Sequence, residues 1–134
     1  MSKLATFFEH YRVALATYDV KTLQSAYADH FLISGPTGQR YMKNGRGFRS
    51  MLKMSGRFYQ RAGVHNVRVT KFDCSVMDKH HAGVQVEWQL IDAQGQELIR
   101  HNVSYIIYVD RRGMRIIFFV SHNEEERWQE AGYL

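Results

Sequence analysis

The chain has 134 residues, 45% of them hydrophobic, which suits one packed core and is too short for two domains. Its formal charge of +5 makes anionic partners worth considering, while a single cysteine, Cys74, excludes an internal disulfide and leaves no ligand set for a structural zinc. The longest unbroken apolar runs, Ile116 to Val120 among them, fall far below the roughly 20 residues of a membrane helix, so no membrane partner is expected.

The first residues, through His10, are interrupted by polar side chains and hold no apolar core of signal-peptide length, so a soluble, cytoplasmic chain is expected. A first helix starts at Ser2, a good N-cap, and runs to about Tyr18. Leu4, Phe7, Phe8, Tyr11, Leu15 and Tyr18 recur at three- and four-residue steps and so share one face. Asp19 can cap a shorter helix through Leu23 to Tyr27 or Ala28. His30 to Ser34 reads as a short strand containing Phe31, Gly35-Pro36-Thr37-Gly38 as a turn, and Arg40 to Lys43 as a returning strand. After Asn44-Gly45, residues 46–62 form an amphipathic helix. Phe48, Met51, Leu52, Phe58, Tyr59 and Ala62 lie on one side, with Arg46, Arg49, Lys53, Arg57 and Arg61 on the other. Gly63 is placed to end it in a left-handed cap.

From Val64 to His122 the pattern is a four-stranded meander. In its first strand the apolar positions change phase near Thr70-Lys71, from Val67 and Val69 to Phe72, Cys74 and Val76, which predicts a β-bulge. The second strand alternates cleanly, with Val84, Val86, Trp88 and Leu90 inward. A third strand spans about Glu97 to Val109 and a fourth Met114 to Ser121. Asn123-Glu124-Glu125-Glu126 then looks like a capping box opening a short helix through Trp128.

A two-residue hairpin at Arg111-Arg112 would pair Val109 with Met114. Continued without a break, that register sets His101 opposite His122, Val103 opposite Val120, and Tyr105 opposite Phe118. Across the preceding loop, Leu90 meets Ile99 and Trp88 meets His101. One face then carries Val84, Val86, Trp88, Leu90, His101, Val103, Tyr105, Phe118, Val120 and His122, an apolar lining with a few polar tips, as small-molecule pockets have. On the other face Ile106, Tyr108, Ile117 and Phe119 group together. The helices can cover only one side of the sheet, so a homodimer through this second face is the natural expectation.

This order of helix, helix, short hairpin, long amphipathic helix and curved meander resembles the cone-shaped α+β fold of nuclear transport factor 2, ketosteroid isomerase, scytalone dehydratase and the SnoaL-like cyclases. The detailed match runs from Tyr11-Arg12-Val13-Ala14-Leu15 through Tyr27-Ala28-Asp29-His30 to Gly35-Pro36-Thr37-Gly38, about a fifth of the chain. The fold implied is a curved antiparallel sheet, the four-stranded meander plus the short N-terminal hairpin. Three N-terminal helices cover one face of it, and a short helix ends the chain. The isomerase uses an aspartate base with an oxyanion hole made by a tyrosine and a protonated aspartic acid. By resemblance its tyrosine falls on Tyr11, its base on Gly35 and its oxyanion-hole acid near Tyr105, so two of the three groups are replaced. Isomerase chemistry of that kind is not expected; a pocket is.

Tyr11, Tyr18, Phe31, Phe58, Val86, Trp88, His101, Val103, Tyr105, Phe118, Val120 and His122 are the expected pocket residues, and His101, His122 and Tyr11 the candidates for proton transfer. The plainer reading of the histidines is a partly solvated cross-strand pair, since no acidic residue is predicted on that face to orient an imidazole. Tyr11 could equally keep its hydroxyl satisfied at the core edge. Cys74, at an alternating apolar position, is expected to be buried and inert. His80-His81 lies in a turn with no third ligand, so no metal is expected, and no cofactor motif appears. The basic helix side reads as a solvated face. Its aromatics lie opposite, so nucleic acid is not the expected partner. Three functions remain open: a binder of a small, mostly apolar molecule; an enzyme of dehydratase, cyclase or isomerase type; and a protein-interaction module with a filled cone.

Overall fold

The computed structural model describes residues 2–134. Helix α1 (Lys3–Thr17) begins as expected, with Ser2 Oγ accepting the Ala5 N–H at 3.1 Å. It ends at Tyr18, a non-glycine residue in the left-handed region (φ 48°), a conformation costing roughly 1–2 kcal/mol. Asp19 caps α2 (Val20–Ser25) by accepting the Thr22 N–H at 3.2 Å. That helix is shorter than its sequence suggests, because Tyr27 turns away to open β1 (Tyr27–Gly35). Strand β2 (Gly38–Lys43) completes the hairpin, and α3 (Arg46–Ala62) ends at Gly63 with φ 91°. The meander follows as β3 (Asn66–Val76), β4 (His81–Ile91), β5 (Glu97–Asp110) and β6 (Gly113–Ser121), and α4 (Glu124–Glu130) ends the chain. Among the described residues, no helix is long and apolar enough to cross a membrane.

The strands form one curled, unclosed sheet in the order β2-β1-β6-β5-β4-β3. The hairpin thus extends the sheet, as expected, and β1 runs parallel to β6 while every other pair is antiparallel. Helices and sheet enclose a core in which Phe8, Phe31, Trp88, Ile107 and Ile116 are almost wholly buried. At one end Trp128 of α4 closes against Phe58, with ring centroids 5.1 Å apart. The basic side chains of α3, Arg46, Arg49, Lys53, Arg57 and Arg61, all lie exposed.

The register decides what faces the core. The bulge expected in β3 is present: pairing jumps from Val69↔Trp88 to Lys71↔Glu87, leaving Thr70 unmatched. Leu90↔Ile99, Trp88↔His101 and Val109↔Met114 also pair as expected. The β5–β6 ladder differs. Pairing holds through Ile107↔Ile116, then shifts by one residue to Ile106↔Phe118, Tyr105↔Phe119, Ser104↔Val120 and Val103↔Ser121. Ile117 is the extra residue, and every side chain beyond it changes face. Phe118, Val120 and His122 therefore turn away from the helices, and Phe119, expected at a dimer surface, turns inward against Tyr105 with centroids 5.6 Å apart.

Two smaller expectations also fail. Cys74 pairs with buried Val84 on the covered face, yet it is exposed. Cover from α1 reaches Phe72, whose ring lies 5.7 Å from that of Phe8, and stops short of Cys74 and of Val76, which is 73% exposed. Asn123 starts α4 without a side-chain cap to its own helix. Its Oδ1 instead accepts the Asn102 N–H at 2.8 Å, tying the start of α4 to β5.

Candidate functional site

Beneath the curled sheet lies a cavity of about 230 Å³. Its walls come from α1 and α2 (Tyr11, Leu15, Leu23), from the apolar side of α3 (Phe48, Met51, Leu52) and from the inner face of the sheet (Trp88, Val103, Phe119). Because α3 is amphipathic, the same helix that exposes its arginines delivers this apolar wall. Gly56 lets the α1–α3 corner close. A Cβ there would stand 2.7 Å from Tyr18 Cδ1, so only glycine admits the Tyr18 ring, which also packs edge-on to Tyr59 at 5.2 Å.

Polar groups converge in two places. In the first, the Tyr11 and Tyr27 hydroxyls share a hydrogen bond of 2.7 Å, and Trp88 Nε1 donates to the Tyr105 hydroxyl at 3.1 Å. Burial pushes the Tyr11 hydroxyl up to about 12, opposed by its hydrogen bonds to other tyrosines, and raises Tyr27 and Tyr105 well above the ordinary phenol range. These phenols stay neutral at physiological pH and act as hydrogen-bonding groups.

The second place is the corner where β5 meets α4. His101 is 4% exposed, and its Nδ1 has no hydrogen-bond partner. Glu124 Oε1 lies 3.9 Å from that nitrogen, too far for a hydrogen bond. The other oxygen of Glu124 accepts the Tyr59 hydroxyl at 2.5 Å and Trp128 Nε1 at 3.1 Å, bonds that fix the carboxylate at the first turn of α4. The Asn102–Asn123 tie and the His122 N–H, which donates to the Asn102 carbonyl at 3.1 Å, hold that turn beside His101. Burial pushes the His101 imidazole below its ordinary value, with the Glu124 charge pulling the other way.

Of the residues expected at a pocket, Tyr11, Tyr18, Trp88, His101, Val103 and Tyr105 border this cavity. Phe31 and Val86 are core residues outside it, Phe31 packed on Phe48 at 4.7 Å and Val86 2% exposed, while Phe58 is taken up by Trp128. Phe118, Val120 and His122 are on the opposite face because of the bulge at Ile117. His122 is exposed there and bonds Ser104 Oγ at 2.8 Å, so the expected His101–His122 pair does not form. The acidic partner thought missing is Glu124, and Phe119 also lines the cavity. The available signal for Glu124 was an acid three residues past the end of β6. Among the described residues, no group of three or more histidine, cysteine or acidic side chains is placed to hold a metal.

A curled six-stranded sheet wrapped over three helices, with an apolar cavity between them, is the architecture of the NTF2-like cone. The chain belongs to the NTF2-like family DUF6841, whose pattern matches residues 2–124. Among solved structures, an NTF2-like protein with a cystatin-like fold from Novosphingobium aromaticivorans is similar at a TM-score of 0.71 and 10% identity, over 92% of this chain and 80% of that one. A protein of unknown function from Mycobacterium tuberculosis is similar at 0.67 and 14% identity, over 90% and 74%. An NTF2-like protein of unknown function in nutrient uptake from Rhodospirillum rubrum gives 0.65 and 16%, over 90% and 98%. At such identities the likeness concerns the fold alone. No curated protein matches the sequence.

Proposed function

We propose that this protein binds a small, mostly apolar molecule in the cavity under its sheet. The observation that carries this reading is an apolar space of about 230 Å³ bordered by His101, whose buried Nδ1 has no partner. Buried polar atoms are nearly always satisfied, so an unpaired one on a cavity wall fits a group supplied from outside. Size narrows the class. A cavity of about 150 Å³ takes benzene, and drug-sized ligands occupy about 300–1,000 Å³, which favours one ring or a compact bicycle here. Open space of this size also speaks against a filled cone whose surface alone acts.

The approach of His101 to Glu124 supports a second reading, proton transfer to or from a bound substrate, with a neutral imidazole as the base. Binding comes first in either case. Titration of benzyl alcohol, followed by methyl NMR shifts at Leu15, Leu23, Leu52 and Leu90, tests it. Saturable shifts that vanish in a cavity-filling Ser55→Phe variant are expected; unsaturable shifts, or shifts that Ser55→Phe leaves intact, would refute the reading.

For the outer face we propose a second copy of the chain as the partner. Phe118 lies there paired beside Ile106 and Leu32, with Tyr108 and Ile117 near, all only half-buried. Sedimentation is expected to report a dimer that Phe118→Lys dissociates; a wild-type monomer at working concentration would contradict it.

A further inference from the structure

The protein's charge is strongly positive, and its cavity is not. Among the described residues that line it, Glu124 is the one formally charged side chain; the exposed cations of α3 point elsewhere. Only one carboxylate oxygen is used, by Tyr59 and Trp128, and Oε1 accepts no hydrogen bond among the described residues. Facing Oε1 at 3.9 Å is His101 Nδ1, also unpaired and almost fully buried. The two atoms are too far apart to satisfy each other; a nitrogen about 2.9 Å from each would reach both once a side-chain shift uncovers Nδ1, whose own accessible surface is almost nil.

We propose that the cavity selects an organic cation, a protonated amine carried on a single ring or a body of similar bulk, with its nitrogen held between Glu124 Oε1 and His101 Nδ1. This deepens the ligand-binding reading above and rests on it.

Four further features agree. An ammonium group is costly to bury unless a counter-charge and hydrogen-bond acceptors meet it, and both are at this corner. Neutral imidazole, the form that burial favours at His101, can offer its Nδ1 lone pair as an acceptor. The rings of Tyr11, Tyr59, Trp88 and Tyr105 border the same space, and aromatic faces attract cations through their quadrupoles. The field of the carboxylate extends over the cavity, since the Glu124 charge helps to raise the hydroxyls of Tyr11, Tyr18, Tyr59 and Tyr105. A ligand carboxylate would be repelled by that field. The basic outer side of α3 slows a cation's approach, but that effect is screened over about 10 Å at 0.1 M salt.

Three near-isosteric probes test this: benzylamine (protonated at neutral pH), benzyl alcohol and benzoate, each titrated calorimetrically into the intact protein and into Glu124→Gln. Benzylamine is expected to bind at least about tenfold more tightly than benzyl alcohol, and benzoate not measurably. Glu124→Gln is expected to abolish the preference, bringing benzylamine down to the level of benzyl alcohol. Equal affinity for amine and alcohol, or preference for benzoate, would overturn the proposal and leave the binding site in place. Binding of none of the three would overturn both readings. If Glu124→Gln fails to fold, the order of the three probes on the wild-type protein still supports or overturns the proposal.

Discussion

Mild acid is expected to destabilise this protein through His101 before its carboxylates respond. Burial holds the folded imidazole below its ordinary value of 6.5, and only the Glu124 charge opposes that shift. The unfolded chain therefore takes up a proton as pH falls through about 6.5 while the folded chain does not, so stability is present above that pH and is lost below it. The slope cannot exceed about 1.4 kcal/mol per pH unit for one group, and for a chain of this size each kcal/mol moves Tm by about 3–5 °C. The carboxyls held low by their partners, Glu9, Asp19, Asp78, Glu97 and Asp110, start from ordinary values of 3.8 to 4.5 and act at lower pH. The window between about pH 6.5 and pH 5 thus lies above the carboxyls' range, and a variant lacking His101 separates its share from that of the six other histidines. Urea denaturation of wild type and His101→Leu across this window is the assay. The readout is the slope against pH, which does not depend on the variant's absolute stability. Wild type is expected to lose stability with acid and His101→Leu to be distinctly flatter. Parallel profiles would refute the claim that His101 is buried in its neutral form.

Two glycines of α3 are expected to respond to alanine with opposite signs. At Gly47 a Cβ meets nothing within 4 Å, so Gly47→Ala gains up to about 1 kcal/mol of helix propensity. Gly56→Ala gains the same but strikes the Tyr18 ring, an overpacking cost of about 1–3 kcal/mol, so its Tm falls; a Tm rise in both variants would contradict the corner packing. Tyr59→Phe removes a hydrogen bond to a carboxylate and is expected to cost about 1.5–3 kcal/mol in urea melts. Cys74 is expected to react with a disulfide reagent in the native state without prior unfolding; protection until denaturation would place it inside.

The two bulges show which parts of the fold could be read from the sequence. At Thr70 the apolar positions switch from odd to even and announce the extra residue. At Ile117 the run Ile116-Ile117-Phe118-Phe119-Val120 is apolar on both faces, so its alternation carries no phase and the slip leaves no trace. That one residue moved His122, Phe118 and Val120 out of the cavity and Phe119 into it. Trp88 and His101, placed by an unambiguous β4 alternation and a short loop, came out opposite each other as expected. Glu124 was harder to see, because strand periodicity does not say where the next helix folds. The Asn123 side chain, bonded to β5 rather than to its own helix, decides that. Cys74 shows a related limit: alternation assigns a face, not the length of the helix above it.

The most direct test of a ligand site under the sheet is a crystal structure of the protein soaked with benzylamine. Ring density is expected in the cavity among Trp88, Tyr105 and Phe119, with the nitrogen against Glu124 and His101. Benzylamine seated only in the groove between Val20 and Arg57 would contradict the cation proposal, and a cavity still empty after soaks with benzyl alcohol and benzoate as well would show that the space under the sheet is no ligand site.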